Sequence, residues 1–514
     1  MEISRYDIEY TQDGKNRFSK KSVQIKMFTN PMKLIPGTIA QVIAVITCTL
    51  LAVSNGMNFA WTSPIGLLLL SPNSTIETGG SDILLLETLY TLGGLCALPI
   101  SFYLLDKIGR KNTILLAAIT GLIGWVMIAS ASIMAVLFVA RFIAGASGNL
   151  SSMAIPVYVA EISDKKIRGH LLTTMFIMVM IGELLMFTAG PYIPISASAA
   201  IGACVLIVHL LTFSFVPESP YYLLMKDQKE KAQESLTICR CLEVVEKELE
   251  EITYTVEKEI SERKGVLDLF RVRSNLKASM ITTVLILAQN FSGSSALDMN
   301  MNLILNEAGG SISANTGAIL YSAMSLVGIL TSGILIDITG RKFLLCTSTT
   351  FTAIFLFTLA SYFTIKDADI NVARYGWLPV TSVLFISLAF QSGFGPVPNL
   401  LRAELYPTNV KAIGMAYTDV VNAVGSILSL IMFQLLRRFG MQVSFYLFGC
   451  CCILTCLFSV FFVPETKGKS LSEIQYLLKG VDVSNINTTD TNAEEQLLSE
   501  KLHREHNDYG TSSD

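Results

Sequence analysis

The feature that most constrains this chain is an apolar stretch of about 20 residues that recurs twelve times between residues 38 and 463. Twenty residues of α-helix rise about 30 Å, the thickness of a bilayer's hydrocarbon core. A helix also satisfies its own backbone polar groups where no water is present. Hydrophobic residues make up 51% of the chain and charged residues 15%, whereas a soluble protein carries about 25% charged residues. The length of 514 residues therefore reads as stacked membrane helices rather than several soluble domains. A membrane β-barrel would show alternation over segments of about ten residues. The fold class expected is all-α, a polytopic membrane protein with 12 transmembrane helices in two six-helix repeats.

The spans fall at about 38–61, 83–105, 112–130, 134–160, 170–190, 197–216, 277–305, 313–336, 343–364, 378–401, 412–436 and 442–463. Lys and Arg concentrate in the N-terminal tail and in the loops after spans 2, 4, 6, 8 and 10, so these should be cytosolic. Arg437 and Arg438, at the outer end of span 11, are the main exception. Both termini are expected in the cytosol and the protein in the cell membrane. The divisions are a tail (1–34), an N-terminal bundle (35–216), a charged linker with short amphipathic helices (217–276), a C-terminal bundle (277–463) and a polar tail (464–514). The sequon at Asn73 then faces outward and is a glycosylation candidate. Those at Asn149 and Asn290 lie inside spans, and Asn487 lies in the cytosolic tail.

The net charge of −3 and the lack of a basic patch offer nothing to nucleic acid. Most of the ten cysteines lie in apolar runs, which suits buried thiols rather than a disulfide framework. Four scattered histidines make no metal constellation, and no nucleotide loop or nucleophile set appears. No cofactor, metal or enzymatic activity is expected.

The two halves repeat. DKIGRK at Asp106 to Lys111 returns as DITGRK at Asp337 to Lys342. Glu161 to Arg168 returns as Glu404 to Lys411, an acid preceding a base by seven residues each time. Pro217-Glu218-Ser219-Pro220 returns as Pro464-Glu465-Thr466. Parallel six-span halves with a solute site between them near the midplane are a known transporter plan.

These pieces, with RFIAG and PVYVAEISDKKIRG in span 4, QNFSG in span 7, GFGPVP in span 10 and VPETKGKS after span 12, resemble the sugar porter family of the major facilitator superfamily. FAWTSP and YPTNVKAIGMAYT are most similar to the insect facilitated trehalose transporters within it. The resemblance implies alternating access with a small-molecule sugar held between the halves. The lipid bilayer would be the only other partner, and a monomer would suffice, the oligomeric state being open. It implies a cytosolic latch of Asp106, Arg110, Glu161, Arg168 and Glu218 with Asp337, Arg341, Glu404, Lys411 and Glu465. It implies a hinge at Gly393, Gly395, Pro396 and Pro398, and binding residues at Gln289, Asn290, Ser295, Gln391, Asn399 and Asn422. Several of these depart from the family's pattern: Ser295 replaces an asparagine, Gln391 a glutamate and Asn399 a tryptophan. Phe176, Ile286 and Ala423 stand where the family has glutamine, glutamine and tryptophan.

Two acids lie where the family has apolar residues, Glu183 in span 5 and Asp298 in span 7. A charge near the bilayer midplane costs at least about 2.5–3.5 kcal/mol, which makes such acids functional candidates. Asp298 should lie about 30 Å along its span, near the outer mouth. Glu183 and Arg141 should lie at similar depth, and an Arg141–Glu183 ion pair is expected. The span 1 acid that faces this arginine in proton-coupled members is absent, with Met57 and Asn58 there instead. Three readings stay open: a facilitative carrier for trehalose or another sugar, a proton-coupled carrier using Glu183, and a transport-deficient solute sensor.

Overall fold

Residues 4–9, 17–22, 37–72, 74, 76–164, 167–240, 242–261, 268–469 and 471–479 are described by the computed structural model. Apolar composition and the absence of water leave each hydrophobic run one solution, a continuous helix, and twelve helical spans result. Spans 1 to 6 are Gly37–Leu69, Asp82–Lys107, Arg110–Ala129, Met134–Ile162, Arg168–Tyr192 and Ile195–Phe213. Spans 7 to 12 are Arg273–Ala308, Ala314–Thr339, Arg341–Asp367, Leu378–Leu405, Ile413–Arg437 and Met441–Phe462. Their outer faces expose Ile100, Val126, Leu211, Ile334 and Phe461, each more than half accessible. A water-soluble surface does not carry apolar area on that scale.

Spans 1 to 6 pack chiefly on one another, and so do spans 7 to 12. The halves meet where span 5 lies against span 8 and span 2 against span 11. Those two contacts exchange under the internal repeat, since span 5 corresponds to span 11 and span 2 to span 8. The N-terminal core holds Trp61, Trp125, Tyr158, Phe187 and Phe213, and the C-terminal core Phe394, Phe433, Phe445 and Phe448. Buried polar tips find partners: Trp125 Nε1 donates to Ser54 Oγ at 2.9 Å, and Tyr158 donates to the Pro217 carbonyl at 2.7 Å.

Glycine sets the tightest crossing. A Cβ on Gly182 of span 5 would lie 2.0 Å from the Val53 carbonyl oxygen, and one on Gly56 of span 1 would lie 2.0 Å from that of Val179. The two backbones touch because neither residue has a side chain, the usual device where lipid supplies no hydrophobic drive. This contact fixes the neighbouring Glu183.

The linker forms Pro220–Met225, Lys229–Cys239, Leu242–Ser261 and Asp268–Arg271. The first three share a small apolar core that includes Leu223, Leu236, Leu249 and Val256. Arg240 ties this layer to the first half, pairing with Glu248 at 2.8 Å and donating to the Ile162 carbonyl at 2.9 Å. A short antiparallel hairpin, β1 (Ser4–Glu9) with β2 (Arg17–Ser22), stands in the N-terminal tail, where polarity alone had indicated no structure. Asn73 lies outside the described residues.

Candidate functional site

Spans 7 and 10 are broken between the halves. Span 7 stops at Phe291 and restarts at Ser294 through Gly293, whose φ of +82° suits glycine. Span 10 is helical over Leu378–Ala389, widens to a π turn over Phe390–Phe394 and resumes at Pro396–Leu405. Pro396 and Pro398 remove two backbone donors there. The Gly395 carbonyl is instead satisfied by side chains, accepting from Gln289 Nε2 at 2.7 Å and Asn399 Nδ2 at 3.1 Å. Asn290 Nδ2 donates to Asn422 Oδ1 at 2.9 Å, and Ser426 donates to Ser295 at 3.4 Å. Gln391 reaches across the halves to the Met180 sulfur at 3.9 Å. The structure thus brings the expected amides of spans 7, 10 and 11 onto one wall. Two of them are engaged in holding the span 10 break.

At the motif-bearing end, the repeat recurs as geometry. Arg110 donates to Glu161 at 2.9 and 3.1 Å, and Asp106 stands 3.9 Å from the same guanidinium. Glu161 also accepts from Ser219. In the second half Arg341 donates to Glu404 at 3.1 Å, Asp337 stands 3.8 Å away, and Glu404 accepts from Thr466 at 2.6 Å. Glu218 accepts from the backbone of Lys111 and Ser219, and Glu465 from that of Arg341, Lys342, Thr466 and Lys467. Both acids therefore sit at helix N-termini, where partial positive charge favours an anion. Burial pushes the Glu218 carboxyl up, against the pull of its backbone donors. Burial also raises Glu465, but its four backbone donors outweigh it and hold it below the usual range. Arg168 donates to the Ser163 carbonyl at 3.4 Å, and the Lys411 ammonium feels the charge of Glu404. These ion pairs lie inside each half. Glu161 is bound by Arg110 rather than by the base seven residues on.

The expected Arg141–Glu183 ion pair is absent. Arg141 is fully buried, donates through Nη1 to the Asn58 carbonyl at 2.7 Å, and lies 4.3 Å from the Tyr90 ring centre and 5.5 Å from that of Trp61. The span 1 residue that replaces the family's acid holds the arginine through its backbone, and two aromatic faces complete the cage. Glu183 instead faces Asp298 across the halves, and the two carboxyls feel each other's charge. Asp298 also accepts from the Tyr321 hydroxyl at 2.7 Å.

Sequence reasoning missed Glu87 in span 2. It is fully buried, accepts from Asn300 of span 7 at 3.3 Å and feels the charges of Arg141 and Arg437. A lone acid in an apolar run was the available signal. It also missed Ser63, whose hydroxyl bonds Asn302 Oδ1 and the Asn302 N–H, each at 3.0 Å. The helix caps Ser219 and Thr466, and the buried Arg402–Asp419 pair, were missed as well. Among the described residues, the hydrogen bonds between the halves at Ser63–Asn302 and Glu87–Asn300 seal the end away from the repeat motifs. Arg437, the exception to the charge rule, pairs there with Glu307. Among the described residues no three His, Cys, Asp or Glu side chains converge as metal ligands would, and the nine described cysteines are free.

The model of the family described as "Sugar (and other) transporter" matches residues 43–478. Proteins called facilitated trehalose transporter Tret1 are similar. The one from Aedes aegypti is 30% identical over 480 residues, covering 92% of this chain and 58% of that protein. The one from Bombyx mori is 31% identical over 443 residues, covering 85% of this chain and 86% of that protein. The chain spans little more than half of the Aedes aegypti and Drosophila virilis relatives, 58% and 51%. Among solved structures, the inward-open xylose transporter XylE from E. coli superposes with a TM-score of 0.69 at 21% identity. That match covers 84% of this chain and 98% of the transporter. A structure of the proton:xylose symporter XylE bound to 6-bromo-6-deoxy-D-glucose superposes at 0.67 and 22% identity, covering 84% and 99%. The fold is that of the major facilitator transporters.

Proposed function

The chain belongs to the sugar (and other) transporter family, and from that premise we propose that it is a multi-pass membrane carrier for a sugar-sized polyhydroxyl solute. It works by alternating access, with no enzymatic step and no cofactor. The observation that carries this reading is the polar wall at the breaks of spans 7 and 10, where Gln289, Asn290, Asn399 and Asn422 converge beside the contact between the halves. Broken helices are tolerated at membrane depth where they line a cavity. The hydrogen bonds Ser63–Asn302 and Glu87–Asn300 then act as the gate at one end. The networks around Arg110 and Arg341 brace the other, forming the latch when the halves close there. Asn422 is exposed to the cavity, while Gln289 and Asn399 act through Gly395, so they shape the hinge as much as they meet solute.

The carrier acts in the cell membrane, with both termini and the long linker on the cytosolic side, which is where Lys and Arg concentrate. Facilitative transport is the leading reading, with trehalose a first candidate because the relatives carry that name. A monomer holds every group this mechanism uses. The test is uptake of labelled trehalose, glucose and other sugars in a hexose-uptake-deficient cell at two pH values. Saturable uptake independent of pH supports the facilitative reading. Uptake that requires a proton gradient supports the coupled one. Absence of any uptake by a correctly inserted protein refutes both.

A further inference from the structure

We propose that Glu183 and Asp298 form a subsite for a positively charged group on the carried solute, so that this carrier prefers an amine-bearing sugar to a neutral one. The inference rests on the transporter reading above and names the substrate class of that same cavity. Glu183 is on span 5 of the first half and Asp298 on span 7 of the second, and their charges interact directly. Glu183 is 4% exposed, yet among the described residues it has neither a hydrogen-bond donor nor a cation within 4.0 Å. It cannot swing away, because Gly182 presses span 5 onto the Val53 carbonyl of span 1. Asp298 is partly exposed and has one neutral donor, Tyr321.

Two carboxylates that face each other away from bulk water repel strongly, and buried acids at membrane depth are retained for function. The chain's own cations are engaged elsewhere. Arg141 is caged by Asn58, Tyr90 and Trp61 beside Glu87, and Arg437 is paired with Glu307. The partner that remains is one the solute brings. The neutral sugar grip is reduced to match, since Gln289 and Asn399 donate to Gly395 and Ala423 stands where the family stacks a tryptophan. Because the acids lie on opposite halves, a cation between them would draw the halves together. Binding the right solute would thereby favour the occluded state.

The test uses the full chain purified and reconstituted into liposomes, with labelled glucosamine, N-acetylglucosamine and glucose at mildly acid pH, where the glucosamine amine is protonated. Glucosamine uptake should exceed that of the two neutral sugars by about tenfold or more, and Glu183→Gln and Asp298→Asn, which keep side-chain volume, should abolish the preference. Equal uptake of all three sugars overturns the proposal and leaves the transporter reading standing. So does glucose-driven proton entry that Glu183→Gln abolishes, since the cation bound would then be a proton. If no sugar crosses, the transporter reading fails, and glucosamine binding to the detergent-solubilised chain decides the subsite. Binding that Asp298→Asn removes supports it, and absence of binding overturns it.

Discussion

Replacing Glu161 by glutamine removes one charge from a well-defined place. Glu161 accepts two guanidinium N–H bonds from Arg110, at 2.9 and 3.1 Å, and takes the Ser219 hydroxyl on its other oxygen. The two side chains of the pair are 9% and 14% exposed, so solvent screens it little. Hydrogen bonds to a charged group contribute about 1.5–3 kcal/mol, and glutamine keeps the shape while losing that component. Its repeat mate, Glu404, makes one bond of 3.1 Å to Arg341, with exposures of 14% and 21%. Glu404→Gln should therefore cost about half as much. For a six-helix unit each kcal/mol shifts Tm by roughly 2–4 °C, which gives a fall of roughly 4–8 °C for Glu161→Gln and half that for Glu404→Gln. The buried thiols supply the assay: Cys48 in the first half and Cys452 in the second, each kept as a lone cysteine, react with a thiol-sensitive dye when their half unfolds. A double-mutant cycle with Arg110→Gln should return a coupling of about 1 kcal/mol or more. A coupling near zero, or a larger loss at Glu404 than at Glu161, would refute the reasoning.

Three further outcomes follow from the same geometry. Glu465 is held below its model value of 4.5, so its stabilisation is present above that pH and fades as pH falls through the lowered value, whereas Glu218 is raised, so its contribution is present below 4.5 and fades as pH rises through the raised value; Tm of Glu465→Gln relative to wild type should rise as pH falls, and that of Glu218→Gln should rise as pH climbs. Gly182→Ala places a Cβ 2.0 Å from the Val53 carbonyl, and should cost about 1–3 kcal/mol or more by forcing spans 1 and 5 apart, read as a lower Tm and a loss of monodisperse protein in gel filtration, while Gly169→Ala, which meets nothing within 4 Å, should be close to wild type. Arg141→Gln should couple to Tyr90→Leu by about 0.5–2 kcal/mol through the lost cation–π contact and show no coupling to Glu183→Gln, in keeping with the partners seen.

The membrane helices were legible because bilayer thickness and backbone satisfaction leave a long apolar run no alternative, and spans such as 378–401 and 134–160 end within a few residues of the helices seen. The repeated motifs were legible because the same chemistry recurs in the same order. Side-chain partners were less so. Equal depth along two spans suggested Arg141 with Glu183, but depth says nothing of azimuth, and the arginine turns toward spans 1 and 2. Glu87 escaped notice because one acid in a run of leucines carries no periodic signature. Gln289 was read as a free solute ligand, whereas the Gly395 carbonyl at the span 10 break claims it, a contact of residues 106 positions apart that no local pattern encodes.

The central claim is that the two halves must separate at the Ser63–Asn302 end for solute to pass. Those side chains touch across the halves, with both contacts at 3.0 Å. Ser63→Cys with Asn302→Cys, in a chain freed of its native cysteines and reconstituted into liposomes, should form a disulfide under mild oxidation. Uptake of labelled sugar should fall by about tenfold or more on oxidation and return on reduction, while either single variant is indifferent to oxidant. Full uptake through the cross-linked protein, with the disulfide verified by mass spectrometry, would contradict the account.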